Sequence, residues 1–405
     1  MARPAPPTGS VGRTTSALER SIDPVSAEEF LAEHWERKPL VVAREEDGRF
    51  DDLLSIADVE RLLCSGGLRY PGLRLVKAGA KLDVPTYTTD VPWRPAPFTG
   101  TAEIGRVISE WEAGATLVLQ GLHHSWPPLA EFCRVLEVEL GHPAQANAYF
   151  TPREAQGLPV HHDTHDVFSL QVAGEKRWFV YEPAVELPLK DQKYRAEHGE
   201  PGAPVLDVTL KPGDTLYLPR GWLHEAATSS TDSLHITVGV NVYTWLDAFK
   251  SALAQCADDV AFRRSPEGDA EELLELLRAR LGEEDVAERR RRRLVSTRRP
   301  VLPDQLSQIR ALDSLTLETP VERRSTVLFD LDGTTLRFEG KTVTLPTALE
   351  EEIEFIVRAD DGFAPAEIPG ELDDESRLVL IRRLVREGFL RLIEASPSIG
   401  EDAAQ

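Results

Sequence analysis

The chain has 405 residues, enough for two or three domains with hydrophobic cores of their own. Hydrophobic residues make up 41% and charged residues 28%, the balance of a soluble globular protein, and no stretch approaches the roughly 20 apolar residues of a membrane span. The formal net charge of −22 is opposite to the basic footprint of nucleic-acid-binding proteins. It either favours a basic peptide or protein partner or serves solubility alone.

The first segment of the chain, residues 1–22, is rich in Pro, Gly, Ser and Thr and lacks the apolar core of a secretory signal. We predict that it is a disordered tail. The three cysteines (Cys64, Cys133 and Cys256) are odd in number and far apart, which argues against disulfides or a cysteine-based zinc site. This cysteine pattern predicts a reducing, cytoplasmic location.

Residues 23–245 form the first predicted domain. Apolar spacing in residues 26–58 indicates a helix, a short buried strand at Leu40–Val42 and a second helix, and residues 129–140 have helical spacing. A β-rich segment follows, with six short strands separated by Gly and Pro: Ala146–Thr151, Val167–Val172, Arg177–Tyr181, Val205–Leu210, Thr215–Leu218 and His235–Val242. Short strands at this spacing favour a barrel or a sandwich over βαβ units.

The region 246–320 is predicted to be helical. Leu246, Phe249, Leu253, Cys256 and Val260 follow the spacing of a helix that packs on another helix. The basic run Arg289–Arg293 is consistent with contact to RNA or phosphate, but such a run is more typical of a solvated helix face or a linker.

The last predicted domain, 321–405, has hairpin strands around the turn dipeptide Asp332-Gly333, two helices and a final strand, which suggests a winged-helix-like α+β module. Its segment VLFDLDGTTL, residues 327–336, resembles the first motif of haloacid-dehalogenase-type phosphatases, with Asp330 as nucleophile and Asp332 as acid/base. That fold needs alternating β and α units, for which the remaining chain is too short, so we favour the turn interpretation.

The chemistry is carried by His161-His162-Asp163. On an extended strand, residues i and i+2 point to one face, so His161 and Asp163 can bind the same metal while His162 turns away. A second His completes a facial triad, which leaves positions on Fe(II) for a bidentate oxo acid and O2.

The second His comes from GDTLYLPRGWLH, residues 213–224, which fits the cupin pattern of Gly, five residues, Pro, one residue, Gly, two residues and His. Its glycines and Pro form a turn that aims His224 into a barrel. We predict a metal site of His161, Asp163 and His224. A zinc or manganese cupin without redox chemistry stays open, and His123, His124 and His165 are expected to be packing residues.

The segments NAYFTPREAQGLPVHHDTHDVFSLQVAGEKRWFVY, PGDTLYLPRGWLHEA and SLHITVGVNVYTW occur in the order seen in the JmjC-type ribosomal oxygenases, which this chain resembles over residues 26–247. The resemblance implies a double-stranded β-helix (cupin/JmjC) barrel with helical additions. It also implies a helical dimerisation segment and then a winged helix, here matched by layout only.

The resemblance further implies that the chain uses Fe(II), 2-oxoglutarate and O2. Lys176 then binds the distal carboxylate of 2-oxoglutarate, Asn147 and His235 contact the cosubstrate, and Tyr149 lines the substrate pocket. The family often has Pro before the first metal His and an aromatic residue after it; Val160 and His162 hold these places here, which puts the shape of the substrate entrance in doubt.

We therefore predict a protein hydroxylase that acts on a side chain of a basic, ribosomal protein. A homodimer is expected, without membrane association and without direct nucleic-acid binding. Two alternatives stay open. One is a hydroxylase of a small molecule or peptide natural product on the same scaffold, and the other is a catalytically silent cupin that binds or regulates.

Overall fold

The computed structural model describes residues 16–393, except for 65–66, 78, 196, 198, 267–269, 283–285 and 360. These residues divide into two compact units, 16–242 and 243–393. Within this described part of the chain, we find no helix with the length and apolar character that a membrane crossing requires.

The first unit is built on two antiparallel sheets. The larger sheet has eight strands in the order β1-β11-β8-β13-β7-β6-β2-β3, and the smaller has the order β10-β9-β12. Their strands are β1 (Leu40–Val42), β2 (Leu73–Lys77), β3 (Ala80–Lys81), β6 (Thr116–Leu119), β7 (Ala144–Thr151), β8 (Asp166–Gly174), β9 (Lys176–Tyr181), β10 (Leu206–Leu210), β11 (Thr215–Leu218), β12 (Leu223–Ala227) and β13 (Ser233–Val240). A separate hairpin joins β4 (Thr88–Val91) to β5 (Phe98–Ala102).

Five helices accompany these sheets. They are α1 (Ala17–Ile22), α2 (Ala27–Glu33), α3 (Ile56–Cys64), α4 (Ile104–Glu112) and α5 (Pro127–Leu140). Side chains of α1, α2 and α5 share one hydrophobic core with the outward face of the large sheet. On β13 this face carries Leu234, Ile236, Val238 and Val240, so the intervening residues point the other way.

The inward side of the large sheet faces the small sheet. A second, smaller core of Val167, Trp178, Val180, Leu210, Leu216 and Leu218 joins strands of both sheets and fills part of this interior. The interior positions of β7, β8 and β13 are polar instead: Asn147, Tyr149, Ser169, Gln171, His235 and Thr237. Two facing antiparallel sheets with a partly polar interior form the predicted cupin-type barrel.

The predicted N-terminal tail is wrong for its last residues. Ala17–Ile22 form α1, and the hydroxyl of Ser16 accepts a hydrogen bond from the amide of Glu19 at its start. Leu18 and Ile22 are buried in the core, and the Leu18 amide donates to Glu139 Oε2 of α5 at 2.8 Å. Burial of these two side chains orders a segment whose composition alone suggested disorder. Residues 1–15 lie outside the described part of the chain.

The second unit begins with four helices, α6 (Trp245–Gln255), α7 (Glu271–Gly282), α8 (Val286–Thr297) and α9 (Gln305–Ala311). A hydrophobic core then gathers α10 (Glu350–Arg358) and α11 (Asp374–Glu387) with strands β14 (Val321–Arg323), β15 (Phe329–Asp332), β16 (Thr335–Phe338), β17 (Lys341–Thr344) and β18 (Leu390–Leu392). Every ladder between these described strands is antiparallel, and Asp332 pairs with Thr335 across the predicted turn. A phosphatase fold, which requires a parallel sheet, is thereby excluded for the described residues of this unit.

The basic run lies on α8 and is used inside this unit. Arg289 is buried and donates to Gln255 Oε1 and to the Arg280 carbonyl, and Arg291 donates to the Phe329 carbonyl at 2.7 Å. The guanidinium of Arg293 lies 5.2 Å from the centre of the Tyr243 ring. Arg289 and Arg291 therefore connect helices and strands of their own unit, whereas Arg292 and Arg293 are exposed, as the sequence suggested for a solvated face.

Candidate active site

Three side chains of the first unit bring metal-binding atoms together. One ligand atom each of His161, Asp163 and His224 lies within 4.8 Å of the others. The Nε2 atom of His224 is 3.7 Å from Oδ2 of Asp163, and the two imidazole rings are 4.4 Å apart. Among the described residues this is the one cluster of three such groups.

Backbone pairing sets this arrangement. The amide of His161 donates to the carbonyl of His224 at 3.1 Å, and the amide of His224 donates back at 2.8 Å. The amide of Gly221 donates to the Asp163 carbonyl at 3.1 Å. Gly221 has φ +92°, and a Cβ there would lie 2.3 Å from the Val185 carbonyl oxygen, so the turn before His224 needs glycine. Within the segment 161–163, only His161 forms a β-bridge. The i, i+2 spacing still places the side chains of His161 and Asp163 at one site.

The imidazoles are oriented as metal ligands. Nδ1 of His161 is 2.8 Å from the Pro159 carbonyl, and Nδ1 of His224 is 3.0 Å from the Trp222 carbonyl. Because a carbonyl only accepts, each Nδ1 carries the proton and each Nε2 keeps a free lone pair. His162 is buried away from the cluster, with Nε2 2.9 Å from the carbonyl of Gln192.

The electrostatics also favour the metal-binding protonation states. Burial, followed by the neighbouring His161, lowers the pKa of His224 to about 4, so its imidazole is neutral at pH 7. Burial raises the pKa of Asp163, but the nearby His165, His224 and His161 outweigh this effect and hold it below its usual value. The neutral imidazole of His224 and the carboxylate of Asp163, together with the free Nε2 of His161, fit a divalent metal with open positions.

A buried cation lies in the same barrel. Lys176 is 4% exposed, and its Nζ donates to Thr151 Oγ1 at 3.0 Å. Among the described residues no carboxylate lies within ion-pair distance of this Nζ. Burial lowers the pKa of Lys176 to about 7. A buried ammonium without a counterion is costly, so its surroundings are suited to an anionic ligand.

Aromatic rings connect the metal-binding residues with the lysine. Trp178 lies 6.0 Å from the His224 ring and 5.5 Å from the His235 ring. Burial, and then the positive charge of Lys176, lowers the pKa of His235 well below its usual value, which keeps this ring neutral. Tyr149 stacks on His235 at 5.0 Å, directly opposite it on the neighbouring strand.

Several polar atoms of this interior have no hydrogen-bond partner among the described residues. They are Ser169 Oγ, Gln171 Oε1, Trp178 Nε1 and His235 Nδ1. Buried polar atoms are normally satisfied, so unpaired donors and acceptors in the interior of one barrel indicate a polar ligand. A small dicarboxylate such as 2-oxoglutarate fits this set, with Lys176 as its charge partner.

The other predicted residues have more limited roles. Asn147 lies on the interior face of β7, but its Oδ1 already accepts a hydrogen bond from the Gly121 amide at 2.9 Å. Burial raises the pKa of Tyr149 to about 12, although a hydrogen bond with Arg74 opposes this. His123 is a satisfied internal residue, since its Nδ1 accepts from the Ala146 amide, and burial lowers its pKa to about 4.

Sequence reasoning missed Ser169, Gln171 and Trp178. A usable signal was present, because β-strand alternation puts Trp178 on the face of Lys176 and puts Ser169 and Gln171 opposite the buried Phe168 and Leu170. Polar residues at alternate positions of a fully buried strand indicate an occupied interior. Arg74, which contacts Tyr149 from β2, had no such signal.

Comparison with known proteins supports this picture. A family model described as "JmjC domain" matches residues 123–248. The bifunctional lysine-specific demethylase and histidyl-hydroxylase NO66 of Drosophila persimilis is 34% identical over 229 residues, which cover 56% of this chain and 32% of that protein. Ribosomal oxygenase 1 of Gallus gallus is 36% identical over 220 residues, covering 54% and 35%. The chain therefore spans about a third of the length of these relatives.

Solved structures show the same fold over more of the chain. The Escherichia coli ribosomal oxygenase YcfD matches with a TM-score of 0.54 and 19% identity, covering 91% of this chain and 98% of YcfD. A YcfD structure in complex with cobalt and 2-oxoglutarate matches with a TM-score of 0.55 and 19% identity, covering 91% and 99%. The predicted cupin/JmjC fold and the predicted resemblance to the JmjC-type ribosomal oxygenases are thus confirmed.

Proposed function

We propose that the chain is an Fe(II)- and 2-oxoglutarate-dependent oxygenase that hydroxylates a side chain of a ribosomal protein. The observation that carries this proposal is the combination of His161, Asp163 and His224 with the buried, unpaired Lys176 in one barrel. The names of the relatives support protein hydroxylation, and the YcfD complex with cobalt and 2-oxoglutarate supports the choice of cosubstrate. The net charge of −22 suits a basic substrate protein.

His161 and His224 would hold Fe(II) through Nε2, and Asp163 through a carboxylate oxygen. Bound Fe(II) supplies the chemistry that converts 2-oxoglutarate and O2 to succinate and CO2 and places the second oxygen atom of O2 into a substrate C–H bond. Lys176 would bind the distal carboxylate, which restores its charged form. The neutral ring of His235 and the indole N–H of Trp178 would position the cosubstrate, and the stacked Tyr149 would help exclude water.

The test is succinate formation by the purified chain with Fe(II), 2-oxoglutarate and ribosomal proteins, combined with mass spectrometry for one added oxygen atom. His224→Ala should abolish both signals. His34→Ala is a matched control, because His34 Nδ1 also contacts a backbone carbonyl, that of Pro39, but His34 is not in the metal-binding cluster. Wild-type protein that neither binds nor consumes 2-oxoglutarate would overturn the proposal.

Other outcomes separate the alternatives. Cosubstrate turnover without oxygen added to any ribosomal protein would favour a small-molecule or peptide hydroxylase. Absence of turnover with intact folding would favour a silent cupin, and tight zinc or manganese binding without oxygen consumption would favour a metal-binding cupin without redox chemistry.

We propose further that residues 246–320 mediate a homodimer. Of the predicted apolar seam on α6 and the turn after it, only Cys256 is buried; Phe249 and Leu253 are 49% and 53% exposed, and the adjacent Trp245 is 67% exposed. Exposed apolar side chains in a row favour burial against a second copy. Light scattering should show a dimer that dissociates in Leu253→Glu, while Val379→Glu, at a 56% exposed apolar site of α11, should leave it intact.

The remaining predictions concern the C-terminal module and its surroundings. We propose that residues 321–405 form a winged-helix-like domain that supports assembly and does not bind nucleic acid directly. The internal contacts of Arg289 and Arg291 support this, because a nucleic-acid interface would need these guanidinium groups in solvent. Absence of salt-sensitive binding to ribosomal RNA would agree with this proposal. A cytoplasmic location stays a prediction from the cysteine pattern.

A further inference from the structure

A buried ionic network lies next to the metal-binding residues. Asp166, which is fully buried, accepts a hydrogen bond from the backbone amide of Arg220 at 2.7 Å, and its carboxylate is 3.6 Å from the Arg220 guanidinium. The same guanidinium donates to Glu36 Oε1 at 2.5 Å. The Glu36 amide in turn donates to the hydroxyl of Tyr217 at 2.9 Å.

This network joins three separate segments of the chain. Asp166 begins β8, three residues after Asp163, and Arg220 lies in the turn between β11 and β12, four residues before His224. Glu36 comes from the segment between α2 and β1 and has a left-handed backbone conformation, with φ +57°. The network therefore connects the segment that carries Asp163 to the segment that carries His224, and it connects both to the N-terminal segment that carries Glu36.

Stability does not account for such a network. Burial raises the pKa of Asp166 to about 7, although the amide and guanidinium of Arg220 lower it, so a charged carboxylate at this position costs free energy. Apolar side chains of similar size often stabilise a core as well as or better than a buried ion pair. The hydrogen bond that Asp166 accepts from the Arg220 amide fixes the distance between two backbone segments, which apolar packing does not do.

We infer that Glu36, Arg220 and Asp166 are positioning residues that fix the spacing between Asp163 and His224 and thereby set the affinity and geometry of the bound metal. This inference rests on the proposed metal site. The Gly221 amide, which donates to the Asp163 carbonyl, forms the second link across the same gap. The paired backbones of His161 and His224 join the same two segments, and the bond from the Arg220 amide to Asp166 adds a further link at the start of β8.

The experiment titrates the full-length, metal-free chain with Co(II), measuring the dissociation constant by calorimetry and the coordination geometry by visible absorption. Asp166→Leu should weaken Co(II) binding by about 10- to 100-fold, the range for partners that orient metal ligands, and should change the absorption bands. Asp166→Asn should keep most of the affinity, because its amide oxygen still accepts the Arg220 N–H. A purely electrostatic or structural role would not separate these two variants.

Two further variants keep the test decisive if Asp166→Leu does not fold. Glu36→Gln removes charge from a side chain that is 31% exposed, and should weaken Co(II) binding in a folded protein. Arg324→Met is the matched control: Arg324 is 6% exposed and paired with Asp304 in the second unit, so its loss should lower stability but leave Co(II) binding unchanged. Equal affinity and equal spectra for wild type, Glu36→Gln and, where it folds, Asp166→Leu would overturn the inference, whereas absence of Co(II) binding by the wild type would refute the proposed function itself.

Discussion

Lys176 provides a test of how the barrel is adapted to its ligand. Its ammonium group is buried, with the hydroxyl of Thr151 as its contact. Burial lowers its pKa from 10.5 to about 7, which corresponds to about 5 kcal/mol of destabilisation when the lysine is charged, at about 1.4 kcal/mol per pKa unit. We expect Lys176→Met, which keeps the volume and removes the charge, to raise the free energy of unfolding of the ligand-free chain at pH 7 by up to this amount.

The gain should depend on pH. Between pH 7 and about 10.5 the unfolded chain binds a proton at Lys176 that the folded chain has released, so the stability of the wild type rises with pH in this window. The destabilisation caused by burying the charged Lys176 is fully present below pH 7 and disappears above about pH 10.5. The advantage of Lys176→Met should therefore be largest near pH 7 and fade by pH 10.

Urea denaturation followed by tryptophan fluorescence measures this difference, since six of the seven tryptophans lie in the first unit. Lys81→Met, at an exposed lysine of the same unit, should leave the free energy of unfolding unchanged. The reasoning is refuted if Lys176→Met is no more stable than the wild type at pH 7, or if its advantage is the same at pH 7 and pH 10. The same variant should bind 2-oxoglutarate about 10- to 150-fold more weakly, the loss of a charge-assisted hydrogen bond, as calorimetry would show.

Two other substitutions test the packing around the site. Gly239→Ala would place a Cβ 2.3 Å from Cδ2 of His165, so we expect it to lower the free energy of unfolding by about 1–3 kcal/mol in urea denaturation. Gly282→Ala is the control: no atom lies within 4 Å of the added Cβ, so this variant should not be destabilised. Equal stability of the two variants would contradict the close approach. Asn147→Ala should lower the free energy of unfolding by about 1–3 kcal/mol, because the Gly121 amide loses its acceptor. Asn147→Asp keeps an acceptor oxygen and should recover most of this free energy in the same assay. A loss of 2-oxoglutarate binding in Asn147→Ala without any loss of stability would instead support a direct contact with the cosubstrate.

The metal-binding cluster could be predicted because its information is local. In an extended segment, residues that are two positions apart point to the same side, so His161 and Asp163 lie together. The glycines and Pro of residues 213–224 specify a turn that delivers His224. Most strands of the barrel were also predictable, since turn residues and short apolar runs mark them, but β12, which carries His224, was not among the predicted strands. Lys176 followed only from the family resemblance, because no local rule places a lysine in the interior of a barrel.

Long-range contacts decided the rest. Residues 17–22 are ordered because Leu18 and Ile22 meet a core built from the helix α5, more than a hundred residues away. Arg289 and Arg291 on α8 are held within their unit because the Gln255 side chain and the Phe329 carbonyl accept their hydrogen bonds, which the sequence of the run does not reveal. Composition describes these segments alone, whereas their structure depends on what packs against them.

The sequence by itself thus determined the type of fold and the identity of the three candidate metal ligands. Only the tertiary structure decided their exact environment: the paired backbones of His161 and His224, the missing counterion of Lys176, and the link from Asp166 to Arg220. The physical reason is that ligand identity follows from side-chain chemistry and short spacing. Orientation, protonation and satisfied or unsatisfied hydrogen bonds depend on residues that meet only when the two sheets close around the interior.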